Sequence, residues 1–402
     1  MSSGSRLLIY SHDSFGLGHL RRCRAIAHHL VGRYGHLSVL ILSGSPIIGS
    51  FDFRSRVDFV RVPGVIKLRN GAYTSLKLNI GTDATLAIRR SIIHHTAEVF
   101  EPDLFLVDKE PLGLRGEVRS ALESLKRRGV PCVLGLRDVM DEPASLVEEW
   151  ERKGVFPALD ELYDAIWVYG LPEIFDPLAE IPRMDRLADK LHFTGYLRRD
   201  ALQMAPPFPD QELSEPGYIL VTTGGGGDGE DLIDWVISAY EHDPGLQTRA
   251  LLVLGPFMPA ELRAAFHDRV ARDRRLSAVT FEAHVEPLFE RAAAVVAMGG
   301  YNTFCEILSF GKPALIVPRT RPRMEQHLRA ERAARLGLVR VLPNGGGRDP
   351  AQMAAALRDL LHAEPPDAAL RERLLGGLER IAELAEPWLG GHHRRTGLVR
   401  CA

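Results

Sequence analysis

Two hydrophobic rhythms alternate along the chain from end to end. Short β-branched or leucine-rich runs have the length of buried strands, and between them apolar residues recur every three or four positions, the period of a helix face. This pattern predicts strands at Arg6–Tyr10, His36–Leu42, Val57–Val62, Asp103–Val107, Pro131–Leu136, Asp164–Tyr169 and His192–Thr194. Helices are expected over Leu20–Tyr34, Ala84–Phe100 and Gly116–Arg128. The stretch 205–217 (A-P-P-F-P-D-Q-E-L-S-E-P-G) then interrupts the pattern with a density of proline that neither helices nor central strands tolerate. Beyond it the alternation restarts, with strands at Tyr218–Thr222, Arg249–Leu254, Ala278–Phe281, Ala294–Met298, Ala314–Val317 and Val339–Leu342. The helices of this half are Asp231–His242, Pro259–Arg272, Val285–Ala292, Thr303–Phe310, Met324–Leu336, Pro350–His362 and Ala368–Ala385.

Repeated strand–helix units favour parallel sheets covered by helices on both faces. The expected fold class is therefore α/β, with two Rossmann-like, doubly wound parallel-sheet domains facing a cleft. The expected boundaries are a first domain over 1–204, a linker over 205–217, a second domain over 218–365, and a C-terminal helix and tail over 366–402 that packs back on the first domain. Ligands of such sheets sit outside the carboxyl ends of the strands.

Composition narrows the function. Fifty Lys and Arg against 52 Asp and Glu give a net charge of −2, which argues against polyanion binding as the main task, so no nucleic-acid partner is expected. No apolar run is long enough to span a bilayer and no secretory leader is visible. Cys23, Cys132, Cys305 and Cys401 are too scattered for a zinc knuckle or a disulfide framework, so a cytoplasmic setting is expected.

Three glycine-rich loops carry the candidate chemistry. The first, S-H-D-S-F-G-L-G-H-L-R-R-C-R, joins the first strand to the first helix. Gly16 and Gly18 allow close backbone approach to a ligand, and His19 stands at the helix N-terminus, where the dipole favours a neutral imidazole. A neutral imidazole in a cleft suits a general base; a capping histidine in a tight turn would have the same sequence. His12 and Asp13 are alternatives at the same edge. The loop lacks the third glycine of a dinucleotide fingerprint, and no Walker G-K-[ST] occurs. The second loop, T-T-G-G-G-G-D-G-E-D over 222–231, offers the bare amides of Gly224, Gly225, Gly226 and Gly227 as a phosphate nest. Asp228, Glu230 and Asp231 resemble a metal cluster on paper but fit better as the charged start of the next helix.

The third loop is the most specific: M-G-G-Y-N-T-F-C-E-I-L-S-F-G-K-P-A-L-I-V-P-R-T-R-P-R-M-E-Q-H. Gly299 and Gly300 make a turn, and Asn302 and Thr303 open a helix whose free amides suit a phosphate. Glu306, one turn further on, is placed for the vicinal hydroxyls of a ribose. Arg319, Arg321 and Arg323 bring positive charge to the same edge.

These residues resemble the GT-B glycosyltransferases, in particular the group containing the N-acetylglucosaminyl transferase of peptidoglycan synthesis, with its family 28 type donor-binding domain. The likeness spans both domains in outline, and its specific motif lies between Gly299 and Gly337. It implies that Gly300–Thr303 hold the diphosphate of a nucleotide sugar, Glu306 the ribose, and Glu325 and Gln326 the sugar hydroxyls. The Glu at 325 departs from the Gln-Gln form of the family. The likeness further implies that Gly224–Gly227 form a second phosphate loop and that the backbone about His284 reads a uracil. His19 then has a catalytic role, with Asp108 and Glu110, just past the strand Asp103–Val107, as candidate acceptor or base residues. The run G-L-G-H-L-R-R-C is also similar to one in nucleotide-sugar hydrolases of pseudaminic acid synthesis, where the histidine activates water.

The expected function is inverting transfer of a hexose or N-acetylhexosamine from a UDP-sugar to an acceptor hydroxyl. A helix dipole and an arginine stabilise the departing diphosphate in place of a metal ion, and no cofactor is needed. The hydrolase is the alternative. A lipid-linked acceptor, with peripheral contact at the inner membrane face, and a small-molecule acceptor both fit.

Overall fold

The computed structural model describes residues 4–12, 17–67, 73–181, 184–200, 216–225, 227–344 and 347–390. Asp13, Gly16, Gly226, the proline-rich segment up to residue 215 and the tail beyond Gly390 lie outside the described residues.

The first half runs β1 (Arg6–Ser11), α1 (Gly18–Arg33), β2 (Ser38–Ser43), β3 (Val57–Arg61), β4 (Val65–Lys67), β5 (Tyr73–Ser75), α2 (Thr82–Phe100), β6 (Leu104–Asp108) and α3 (Arg119–Arg127). It continues with β7 (Cys132–Arg137), α4 (Pro143–Lys153), α5 (Val155–Leu162), β8 (Ala165–Tyr169) and β9 (Leu191–Phe193). Seven strands form a parallel sheet in the order β3-β2-β1-β6-β7-β8-β9. The second half runs β10 (Ile219–Thr222), α6 (Glu230–His242), β11 (Ala250–Val253), α7 (Ala260–Val270), β12 (Leu276–Val279), α8 (Glu286–Arg291) and β13 (Ala294–Ala297). It ends with α9 (Tyr301–Phe310), β14 (Ala314–Ile316), α10 (Glu325–Arg335), β15 (Arg340–Val341), α11 (Pro350–Leu361), α12 (Ala368–Leu374) and α13 (Gly377–Leu389). Its parallel sheet has the order β12-β11-β10-β13-β14-β15. Both halves thus share the doubly wound pattern that reverses direction beside its first strand.

Strand alternation sorts the core into layers. Leu7 and Ile9 of β1 point to one face while Leu8 and Tyr10 point to the other. The first face joins α1, α9 and α13 in one apolar body that runs through both halves, from Ile26 and Leu30 through Phe304 to Ile381 and Ala385. Full burial of one such Leu or Ile side chain contributes roughly 1.5–3 kcal/mol, so this shared layer ties the halves together firmly. The opposite faces are private: α2, α3 and α5 cover the first sheet, and α6, α7 and α11 the second.

Among the described residues, three regions depart from the sequence pattern. The segment 143–162 carries two helices, α4 and α5, separated by Gly154 at φ 63°; its mixed polarity hides them, because only Leu146 and Trp150 of α4 are buried. Segments 65–67 and 73–75 pair as an antiparallel hairpin. The long helix expected over Ala368–Ala385 is broken, because Gly376 pairs with Leu197 as an isolated bridge. There the Gly377 amide donates to the Tyr196 carbonyl at 3.1 Å and the Tyr196 amide to the Leu374 carbonyl at 2.7 Å. A side chain at Gly377 would meet the Gly195 carbonyl oxygen at 2.5 Å. From this bridge α13 crosses to the first half, where the Tyr34 hydroxyl donates to the Ala382 carbonyl at 2.6 Å.

Candidate active site

The carboxyl ends of both sheets open onto one cavity of about 350 Å³, lined from both halves. On the first side, β6 ends in Asp108 and α1 begins at Gly18, so sheet order alone sets the acid beside the first turn of the helix. The His19 imidazole Nδ1 lies 2.5 Å from Asp108 Oδ2. Arg22, one turn along α1, donates from Nε and Nη2 to the two Asp108 oxygens at 2.8 and 2.7 Å. The Arg22 guanidinium packs over the rings of Tyr169 and Tyr301, at 5.7 and 5.4 Å. Arg22 Nη2 also lies 3.0 Å from Nδ1, but the carboxylate at 2.5 Å is the nearer partner and can only accept, so the proton is assigned to Nδ1 and the lone pair to Nε2. Burial works against ionisation of Asp108, but Arg22 and then His19 overcome it and hold the carboxyl below its usual range. Burial also pushes His19 down to about 4, against the pull of Asp108. The imidazole is therefore neutral at pH 7, with burial the largest cause.

On the second side the cavity is walled by backbone. Gly224, at φ 70°, Gly225 and Gly227 line it after β10. Gly300, Tyr301, Asn302 and Thr303 line it at the start of α9, where the first amides of the helix face an open space suited to an anion. The turn before them depends on Gly299, at φ 80°, because a side chain there would meet Ile316 Cγ2 at 2.8 Å. Gln326 also lines the cavity and accepts the Arg319 amide through Oε1 at 3.2 Å. Phe51, Phe257 and Phe281 supply an apolar end wall, with Phe51 and Phe281 edge to face at 6.1 Å across the two halves.

Ion pairs and hydrogen bonds cross the cleft. Arg21 of α1 bonds Glu306 and reaches Glu286 at 3.3 Å. Glu306 is 1% exposed; burial raises its carboxyl to about 7 despite Arg21. Arg137, at the end of β7, bonds Glu325. Asp138 takes a two-pronged bond from Arg329, at 2.7 and 2.6 Å, and a third from the Tyr196 hydroxyl at 2.8 Å. Asn302 donates to the Gly18 carbonyl and accepts from Arg199, both at 2.9 Å. Its side chain is thus engaged in joining the halves, while its backbone stays at the cavity wall.

Several sequence-selected residues lie off the cavity. Glu110 pairs with Lys153 of α4 at 3.0 Å, which draws it away from His19. His12 is buried, with Nδ1 3.2 Å from the Tyr10 hydroxyl and its ring 5.8 Å from that of His19, so it backs the site without lining it. The His284 amide donates to Glu282 and its ring pairs with Asp52 at 3.1 Å; the neighbours Phe281, Glu282 and Val285 line the cavity instead. Glu325 is held by Arg137 and by Arg319 at 3.2 Å. Burial opposes its ionisation, yet Arg137, Arg329 and Arg319 hold it at about 2. Gly299 supports the turn from behind, its carbonyl accepting from Arg329 at 2.9 Å. Asp228 pairs with Arg319 and Asp231 with Arg348, and among the described residues no His, Cys, Asp and Glu group is gathered as for a metal ion.

Sequence reasoning passed over Arg21, Arg22, Arg137, Asp138 and Arg329. Arg22 had a readable signal, because it stands three residues after His19 on the same helix face. The others are paired with partners more than 180 residues away, which no local pattern discloses.

Residues 219–376 match the glycosyltransferase family 28 C-terminal domain. The chain is a glycosyltransferase with the GT-B fold. An uncharacterized glycosyltransferase of Methanosarcina acetivorans is 26% identical over 329 residues, covering 75% of this chain and 77% of the relative. Among solved structures, Medicago truncatula UGT71G1 complexed with UDP-glucose is similar with TM-score 0.63 and 16% identity, covering 97% of this chain and 99% of that one. MurG of Acinetobacter baumannii is similar with TM-score 0.56 and 13% identity, covering 95% and 99%. Both likenesses concern the fold.

Proposed function

We propose that the enzyme transfers a hexose or N-acetylhexosamine from a UDP-sugar to an acceptor hydroxyl, with inversion. The observation that carries the reading is the opposition, across one cavity, of a neutral His19 backed by Asp108 and a wall made of the Gly224–Gly225 backbone and the uncapped start of α9, in which the Gly224 amide rests on Thr222 Oγ1 at 3.2 Å. Gly224, Gly225, Gly227 and the start of α9 hold the diphosphate, Glu306 the ribose, and Gln326 the sugar. The uracil lies against the apolar end wall near Phe281.

In the reaction the acceptor oxygen attacks the anomeric carbon while His19 Nε2 takes its proton. The bond from the anomeric carbon to the β-phosphate oxygen breaks, and its electron pair leaves with UDP. The α9 amides and Arg319 meet the charge that develops there, the role a divalent ion would otherwise play. Asp108 fixes the tautomer and stabilises the imidazolium, as in other carboxylate–histidine pairs.

The test is release of UDP from a panel of UDP-sugars, with lipid-linked and small-molecule acceptors added in turn. Acceptor-stimulated release with formation of a glycosylated product is expected. Release of free sugar at an unchanged rate in water alone would replace transfer with hydrolysis. Failure of UDP to bind would end the reading altogether. No helix among the described residues is long and apolar enough to cross a membrane.

A further inference from the structure

Helix α1 presents a second charged face. Arg21, Ala25 and His28 follow one another at helical spacing and line a smaller cavity of about 130 Å³. Arg24, Arg54, Arg198 and Arg199 bring positive charge to it, against the carboxylates of Asp200 and Glu286.

The hydrogen bonds of this cavity do not close. Arg198 is answered by Glu372, at 3.2 and 2.5 Å. Arg24 uses Nε on the Asp52 carbonyl at 2.8 Å. Arg199 is 6% exposed; its Nη2 bonds Asn302, but its Nη1 is buried with no partner. Glu286 gives Oε1 to Arg21, while its Oε2 is likewise buried without a donor. A buried guanidinium N–H and a buried carboxylate oxygen, both unmet, are costly unless something fills the space between them. The filler has to accept from an arginine and donate to a carboxylate. Burial lowers the basicity of Arg24, and its neighbours Arg21 and Arg199 add to that effect, while Glu286 and Asp52 oppose it.

We propose that this cavity is a second ligand site, for a phosphate that keeps one O–H, and that its occupation tightens binding of the donor. Phosphate oxygens accept from Arg199 Nη1, Arg24 and Arg54, and the P–OH donates to Glu286 Oε2. The cavity is far smaller than the donor cleft and takes the oxyanion, not a nucleotide. Arg21 lines both cavities and holds Glu306 in the cleft. A phosphate beside Arg21 offers it another partner, which frees Glu306 for ribose hydroxyls. This coupling rests on the donor reading above; phosphate binding itself does not.

Calorimetry on the full chain, with inorganic phosphate as titrant, tests the site. One phosphate is expected to bind with or without saturating UDP, and each ligand is expected to tighten the other by the same factor, as linkage requires. Arg54→Ser, at an exposed position, and Arg199→Lys, which keeps charge but loses the fork, are expected to weaken phosphate by about tenfold. Sulfate, which has no O–H at neutral pH, is expected to bind more weakly. Thermal melts show whether each variant is folded; if Arg199→Lys does not fold, Arg54→Ser decides. Displacement of phosphate by UDP, equal affinity in the folded variants, or no binding at millimolar phosphate would overturn the site. Phosphate that binds without altering UDP affinity would overturn the coupling. Absence of UDP binding falls on the donor reading and leaves the phosphate titration to stand or fall separately.

Discussion

The two halves share a strand order but furnish their strand ends in opposite ways. At the first sheet, the chemistry is in side chains: Asp108 ends β6, His19 stands on the first turn of α1 with Arg22 one turn along, and Arg137 ends β7. At the second sheet the anion-facing groups are backbone, a glycine loop after β10 and a bare helix start after β13, with the side chains of Glu306 and Gln326 beside them. Titratable side chains have tunable proton affinity, so the first edge suits proton transfer. Backbone amides have none, so the second suits a charge that must be met at any pH. One architecture thus separates proton chemistry from anion binding by loop content alone.

The largest effect expected from this division is on turnover. His19→Ala is expected to lower kcat by about 10²–10⁴ while leaving the donor KM nearly unchanged, because the base is lost and the amide wall is not. Steady-state kinetics with both substrates saturating measures it; retention of nearly full turnover would remove His19 from the base role. Asp108→Asn comes next. It leaves the geometry but removes the acceptor that fixes Nδ1 as the protonated nitrogen, and about a 10²-fold loss in kcat is expected. An unchanged kcat in a folded variant would show that the His19–Asp108 contact is structural only.

How much of this was legible in the sequence follows from range. Both sheets and the α9 loop announce themselves locally, since a strand's alternation, a turn glycine such as Gly299 and a helix start are written within a few residues. His19 and Asp108 were separately visible, each at a strand end, and parallel pairing of β1 with β6 is what joins them. Glu110 was equally visible and belongs elsewhere, because Lys153 on the unpredicted helix α4 claims it. The cross-cleft pairs were illegible: Arg21 with Glu306 and Asp138 with Arg329 are statements about how two domains dock, which periodicity does not encode. The break between α12 and α13 was missed for the same reason, as it answers a contact with Leu197.

A smaller effect separates the two edges on the donor side. Glu306→Gln keeps the shape of the side chain but loses the charge that accepts ribose hydroxyls. Donor affinity is expected to fall by about 10- to 100-fold, the range for a charge-assisted pair of hydrogen bonds, with a much smaller change in saturated turnover. Titration calorimetry with UDP reads this directly, and an unchanged dissociation constant would remove Glu306 from the ribose site.

The smallest expected effect is the pH dependence of that same step. Burial raises the Glu306 carboxyl to about 7, while the ordinary value is 4.5. A raised carboxyl favours the proton-bound folded state, so its contribution to stability is full below about 4.5 and is lost as pH rises through about 7. Donor binding runs the other way, because only the carboxylate accepts two hydroxyls. Affinity for UDP is therefore expected to strengthen by up to about tenfold from pH 6 to pH 8, then level off. His19, already neutral above about 4, contributes nothing in that window, so saturated turnover has no Glu306-like rise there. Glu306→Gln is expected to flatten the affinity profile and leave the turnover profile alone. A profile that stays sloped in the variant would move the titrating group off Glu306, and with it the claim that the second edge binds through groups the first edge does not use.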